Sequence, residues 1–324
     1  MVINNKTQIK SAARALIDGN LVAFPTETVY GLGADALNKT SVNRLFELKR
    51  RPKNHPVIVH LGSFANIEFW VKDLPDYFGN LASNFVPGPI TFIFKKRSDL
   101  DVGYLTGNQN KIGLRVPSNK IAQLLLYEFN LLNGRGIAAP SANRFGQVSN
   151  TNSNRIKTEF ALDFRSGDLV LDGGSSAIGI ESTILDCTQD IPTILRPGLI
   201  SKKEIEVCLK MQIRTSDNQS QREIKTRFSG MFSRHYAPRA KVKWTGVPKP
   251  GDGYMGLSDN PVPKGVVILS LPKNSEQFAK KLYETFHLAD ELGLKSIFVS
   301  LPESGKLVEA IRDRVVRASS SNLL

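Results

Sequence analysis

Apolar residues recur at helix and strand spacing through the first 210 residues, the pattern stops across 214–227, and it restarts beyond Pro238. A chain of 324 residues interrupted in this way has room for two domains, each burying its own core. In the first part the spacing predicts helices over 7–18, 42–48, 76–85, 118–129 and 202–210. It predicts strands over 21–25, 57–61, 90–94, 112–116, 137–139, 169–172, 182–186 and 193–196. Asn38-Lys39-Thr40-Ser41 supplies the cap for the second helix, and Lys49-Arg50-Arg51-Pro52 ends it. Helices interspersed with strands point to an α/β or α+β domain with one sheet. The stretch 214–227 is polar and aperiodic, as a connector would be. After it, strand 265–271, helix 276–291, strand 296–300 and helix 307–318 imply a small parallel-sheet domain.

No run approaches the 18 or so apolar residues of a membrane span, and 1–11 lacks the pattern of a signal peptide, so a cytoplasmic protein without membrane contact is expected. Cys187 and Cys208 are too few for a disulfide framework or a thiolate metal site and read as buried thiols. The net charge is +13, and its placement is uneven: residues 201–240 hold 9 cations against 4 carboxylates, an excess equal to that of the first two hundred. Such a field suits a polyanion such as ATP, pyrophosphate or RNA, and equally a solvated basic linker.

Gly134-Arg135-Gly136-Ile137-Ala138-Ala139 satisfies a dinucleotide-binding string but precedes a strand instead of following one, so it is set aside. There is no Walker A sequence, and His55, His60, His235 and His287 form no metal-ligand spacing. Pro25-Thr26-Glu27-Thr28-Val29-Tyr30-Gly31-Leu32-Gly33 sets hydroxyls and a carboxylate at a strand end, before glycines that allow close approach of a ligand; a plain strand and turn fits as well. Three cations at the end of a helix, 49–51, could simply complement its dipole. Ala139-Pro140-Ser141-Ala142-Asn143, Glu181-Ser182-Thr183 and Leu195-Arg196-Pro197-Gly198 place polar residues among apolar ones. Arg115, between Leu114 and Val116 in a strand, needs either a ligand or an internal ion pair.

Together these segments resemble the YrdC family of threonylcarbamoyl-AMP synthases in its two-domain form. The unbroken PTETVYGLG at 25–33 carries the resemblance, with Lys49, Arg51, Ser141 and Asn143 matching the family's Lys-x-Arg and Ser-x-Asn. Further matches are the elements at 52–60, 87–91, 181–184 and 195–198, and His235-Tyr236-Ala237-Pro238 in the connector. Gln147-Val148-Ser149-Asn150-Thr151 stands where the family has a Pro-Ser-Pro-Thr segment.

The resemblance implies an open twisted α/β sheet around a large basic cavity over 1–212, a linker or lid over 213–240, and a Rossmann-like domain over 241–324. It implies synthesis of threonylcarbamoyl-AMP from L-threonine, bicarbonate and ATP with Mg2+, and delivery to the machinery that modifies tRNA. L-threonine is expected at Thr28, His60, Arg115, Ala139 and Ser182. ATP is expected at Arg51, His55, Lys111, Ser141, Ser149, Arg196 and Tyr236, and catalytic work at Lys49, Arg51, Ser141 and Asn143, with no metal held by the protein. Within 230–238, Met231, Phe232 and Tyr236 beside Arg234 and His235 make a composition unlike a passive spacer's; the resemblance implies that this segment is a lid with Tyr236 at the nucleotide, and simple packing of the second domain against the first is the alternative. Two rivals stand beside this reading: a non-catalytic RNA-binding or ribosome-maturation factor, and an enzyme carbamoylating another acceptor, as in hydrogenase maturation. Direct RNA contact is left open.

Overall fold

The computed structural model describes residues 6–216, 226–232 and 234–320. The expectations for 1–5 and for the polar stretch 217–225 fall outside these residues. The first part contains strands β1 (Val22–Phe24), β2 (Gly31–Asp35), β3 (Ile58–His60), β4 (Ile90–Lys95), β5 (Lys111–Arg115), β6 (Ile137–Ala138), β7 (Leu169–Val170), β8 (Thr183–Asp186), β9 (Thr193–Arg196) and β10 (Arg214–Thr215). They form one mixed ten-stranded sheet in the order β10-β9-β8-β4-β5-β3-β6-β2-β1-β7. Its helices are α1 (Lys6–Ile17), α2 (Lys39–Lys49), α3 (Phe78–Phe85), α4 (Gly103–Thr106), α5 (Lys120–Leu131), α6 (Ser153–Glu159) and α7 (Lys202–Leu209).

Alternation along the strands sorts the core into two layers. Val22, Phe24 and Ile137 join α1 and α5 in one apolar cluster. Leu21, Ala23 and Ala138 join Val42, Leu45 and Phe46 of α2 and Leu81 of α3 in another. The sheet is therefore covered on both faces. As the cap signal predicts, the Asn38 side chain accepts from the Ser41 amide at 3.1 Å to start α2, and Arg50 ends it in the left-handed region.

The second part has strands β11 (Lys241–Lys243), β12 (Gly253–Met255), β13 (Val267–Ser270) and β14 (Ser296–Val299), with helices α8 (Ser275–Glu291) and α9 (Val308–Ser319). Its sheet runs β11-β14-β12-β13, and every pairing is parallel. The two parts share packing, because Val29, Val148, Ile180 and Tyr236 belong to the same apolar cluster as α8 and α9. Gly179 makes the approach possible: at φ +86 its backbone lies so near α8 that a Cβ would sit 2.5 Å from Lys280 Cα.

The sequence expectation lacked β2, β11, β12, α4 and α6. Arg214–Thr215, read as the start of the connector, instead pairs in parallel with β9.

Candidate active site

Strand register brings the polar residues to one end of the large sheet. His60 and Arg115 end the parallel strands β3 and β5 as direct partners. Strand β4 runs antiparallel to β5 and parallel to β8, so Ser182, just before β8, comes to the same end. Strand β9 returns antiparallel to β8 and ends there on Arg196. A cavity of about 40 Å³ lies among them, lined by Thr28, His60, Arg115, Ala139, Ser141, Ser182, Arg196 and Tyr236 of the expected residues, with Glu181, Ser229 and His235. A larger cleft of about 680 Å³, lined in part by Asn152, Arg155, Asp172 and His287, contains none of the expected site residues.

Arg115 is buried. It donates from Nη2 to Glu27 Oε1 at 2.6 Å, from Nη1 to Thr28 Oγ1 at 3.0 Å, and from Nε to the Gly88 carbonyl at 3.4 Å. The internal ion pair is thus present, which leaves two of its five N–H groups uncommitted by these bonds. Burial beside Arg115 holds His60 neutral, with its pKa down at about 3. The Ser182 hydroxyl meets Thr91 Oγ1 at 2.8 Å, while its carbonyl accepts from Arg196 Nε and Nη2 at 3.1 and 2.9 Å.

Lys49 is fully buried and donates to the carbonyls of Ser141, at 2.6 Å, and Asn143. Burial holds its ammonium well below the ordinary lysine range. Arg51 donates to the Pro56 carbonyl at 2.5 Å and lies against the rings of Phe46 and Phe145; its Nε finds no hydrogen-bond partner among the described residues. His55 packs on Phe145 and Phe232, and burial lowers its pKa to about 2. Asn143 Nδ2 holds the carbonyls of Arg144 and Gln147. Ser149 stands behind the cavity wall, donating to Glu181 Oε1 at 2.6 Å. Lys111 is not brought to this cavity: it begins β5, four residues from Arg115, and binds Asp186 and Thr226.

The described residues of the connector form a strap across this end of the sheet. Thr226 bonds Asp186, the Arg227 amide donates to Gln109, and Phe228 enters the apolar cluster of Ile93, Ile184 and Leu195. The Ser229 carbonyl accepts from Arg196 Nη1 at 3.0 Å. Phe232 covers His55, His235 packs on Phe145, and the Ala237 amide reaches Gly146 at 3.1 Å.

Residues 14–198 match the Sua5/YciO/YrdC family, described as telomere recombination. Residues 200–320 match the family described as threonylcarbamoyl-AMP synthase, C-terminal domain. A threonylcarbamoyl-AMP synthase of Pyrococcus abyssi is 34% identical over 335 residues, which cover 98% of this chain and 95% of that one. The chain belongs to the threonylcarbamoyl-AMP synthase family. The Bacillus subtilis member is 38% identical over 238 residues, covering 74% of this chain and 66% of that one. The Pyrococcus abyssi Sua5 structure in complex with L-threonine aligns with a TM-score of 0.85 at 33% identity, over 97% of this chain and 95% of that one.

In this member of the threonylcarbamoyl-AMP synthase family, several residues at the site were not singled out from sequence. Glu27 and Glu181 stand inside motifs but were not assigned a place, and Tyr283 and Arg314 come from the second domain. Arg314 did leave a signal: it occupies a core position in the series Ala310, Ile311, Arg314, Val315, Ala318 along α9.

Proposed function

We propose that this chain joins L-threonine, bicarbonate-derived carbon dioxide and ATP into threonylcarbamoyl-AMP, releasing pyrophosphate, and that the product feeds threonylcarbamoyl-adenosine modification of tRNA. Family membership supports the activity. The observation that carries it to this site is that Lys49, Arg51 and Arg196 are buried and that no carboxylate among the described residues forms an ion pair with them. Glu159 and Glu181 act on Lys49 and Arg196 only from a distance, and buried cations without a paired carboxylate are costly, so the cluster suits an anionic ligand. All three lie close enough to His235 to depress its pKa. The triphosphate of ATP suits them.

In this reading the threonine amine loses a proton and adds to carbon dioxide, giving an N-carboxylate. One of its oxygens attacks the α-phosphorus, and the bond to pyrophosphate breaks. Such transfer depends on placement and charge stabilisation rather than on a protein nucleophile. Lys49 holds the carbonyls of Ser141 and Asn143, and so shapes the nucleotide loop as well as supplying charge. The remaining N–H groups of Arg115 grip the threonine carboxylate, beside Thr28, His60, Ala139 and Ser182. Magnesium comes as part of the ATP substrate, held by phosphate oxygens and water.

The strap serves as a lid. Ser229, His235 and Tyr236 of the strap themselves line the cavity, so the strap lifts to admit the substrates. Once closed it would shield a carbamate and an acyl-adenylate from water. We divide the chain into a catalytic domain that runs through β10 at Arg214–Thr215, a connector whose described residues 226–232 and 234–240 form the strap, and a second domain over 241–324. No helix among the described residues is long and apolar enough to cross a membrane; with Cys187 and Cys208 as free thiols, a cytoplasmic setting fits. A purely RNA-binding role would place its cations on the surface, whereas these are inside. The test is pyrophosphate release, which should require threonine and bicarbonate together; equal release without bicarbonate would remove the carboxylation step.

A further inference from the structure

Helix α9 carries a fully buried arginine where its apolar stripe calls for a core residue. Arg314 Nε donates to Glu181 Oε2 at 2.9 Å and Nη2 to the Glu181 carbonyl at 3.2 Å. Its Cζ lies 5.4 Å from the centre of the Tyr236 ring. Glu181 belongs to the cavity wall and Tyr236 to the strap, and both line the cavity. A single guanidinium of the second domain therefore touches the wall and the lid at once.

The contact continues along the helix. Arg314 Nη1 donates to Asp313 Oδ2 at 2.6 Å, and Asp313 Oδ1 accepts from Arg317 Nε at 2.9 Å. Arg317 Nη1 in turn donates to the strap carbonyls of Met231 and Phe232 at 3.2 and 3.1 Å, and its own carbonyl accepts from the His235 amide at 3.3 Å. Tyr283 of α8 supports the same wall from the side: its hydroxyl donates to Glu181 Oε2 at 2.8 Å, and its ring stacks on Tyr236 at 5.8 Å. Apolar residues at these positions would pack the two domains with no buried charge to compensate. The polar chain gives directional bonds to one closed position of the strap.

We propose that Arg314 and Arg317 are positioning residues that latch the strap over the active site, which makes the second domain the part that sets lid closure. The catalytic side of this rests on the synthase reading; the latch itself does not. Hydrogen exchange of the ligand-free full chain tests the latch directly. In Arg317→Gln, whose side chain is partly exposed, and in Arg314→Lys, exchange over 226–232 and 234–238 should rise by about tenfold while α8 keeps its protection. In the same variants kcat for adenylate formation should fall by about tenfold, with KM for threonine within about twofold. If Arg314→Lys fails to fold, Arg317→Gln and Tyr283→Phe carry the test. Unchanged strap exchange in folded variants would overturn the latch. Faster exchange with unchanged kcat would overturn its bearing on the reaction, and absence of product from the wild-type chain would instead count against the synthase reading.

Discussion

Arg196 at the end of β9 binds Ser229 of the strap: its Nη1 donates to the Ser229 carbonyl at 3.0 Å, while Nε and Nη2 hold the Ser182 carbonyl. In the proposed lid reading, lifting the strap would break the first bond and keep the other two, so that the guanidinium would stay aimed with one nitrogen free for a phosphate.

Gly230 is a position at which a side chain would disturb the strap as it lies in the structure. It sits at φ +84, and a Cβ there would lie 2.2 Å from Tyr236 Oη. Gly230→Ala should destabilise the closed strap by about 1–2 kcal/mol or more and lower kcat by about tenfold. The melting temperature should fall as well, though the α1 and α5 cluster is untouched, because Tyr236 belongs to the apolar cluster of α8 and α9. Tyr236→Ala should act in the same direction. Wild-type turnover in both would leave the strap a tether.

Arg51→Ala and Lys49→Ala should weaken ATP use far more than threonine binding, by about 1.5–3 kcal/mol for each lost charge-assisted contact. Lys49→Ala should also lower thermal stability, since the buried carbonyls of Ser141 and Asn143 lose their donor. Titration calorimetry with each ligand separates the effects; threonine binding lost along with ATP would contradict the division of roles.

Arg115→Lys should raise the threonine KM by about tenfold or more, because a point charge cannot keep Glu27 and Thr28 while gripping a carboxylate. The ATP KM should move little. A purely structural Arg115 would show lower stability with an unchanged threonine KM in the folded fraction.

His55 and His60 are held neutral by burial, at about 2 and about 3 against an ordinary 6.5. Below about pH 6.5 the unfolded chain takes up protons that the fold refuses. Their contribution is therefore complete above that pH and is lost as pH falls toward 3, by about 1.4 kcal/mol per pH unit for each histidine. His55→Phe keeps a ring against Phe145 and Phe232 and should reduce the slope of urea-derived stability between about pH 6 and 4.5 by about that amount. Equal slopes in the two proteins would show that His55 titrates normally.

Strands with β-branched and aromatic runs, such as Ile90–Lys95, and capped helices such as Lys39–Lys49 were legible in the sequence because their signals are local. Strand Gly31–Asp35 was not, since Gly31-Leu32-Gly33 carries no strand preference; a Cβ at Gly33 would come 2.7 Å from Ile137 Cγ2, so packing excludes the residues that would have announced a strand. The three-residue strands of the second domain are too short for periodicity to register. At the site, motifs singled out His60, Ser182 and Arg196 one by one, and Arg115 stood out as a charge between Leu114 and Val116 in a strand. What they could not show is pairing across distance, as in Glu27 with Arg115 or Glu181 with Arg314, 88 and 133 residues apart.

The central claim is tested most directly by incubating the purified chain with ATP, isotopically labelled bicarbonate and L-threonine, then weighing the nucleotide product. The account predicts an adenylate that contains threonine and one labelled carbon, formed with one pyrophosphate and absent when any one substrate is withheld. Adenylated threonine without the labelled carbon, or no adenylate from protein that binds both ATP and threonine, would contradict it.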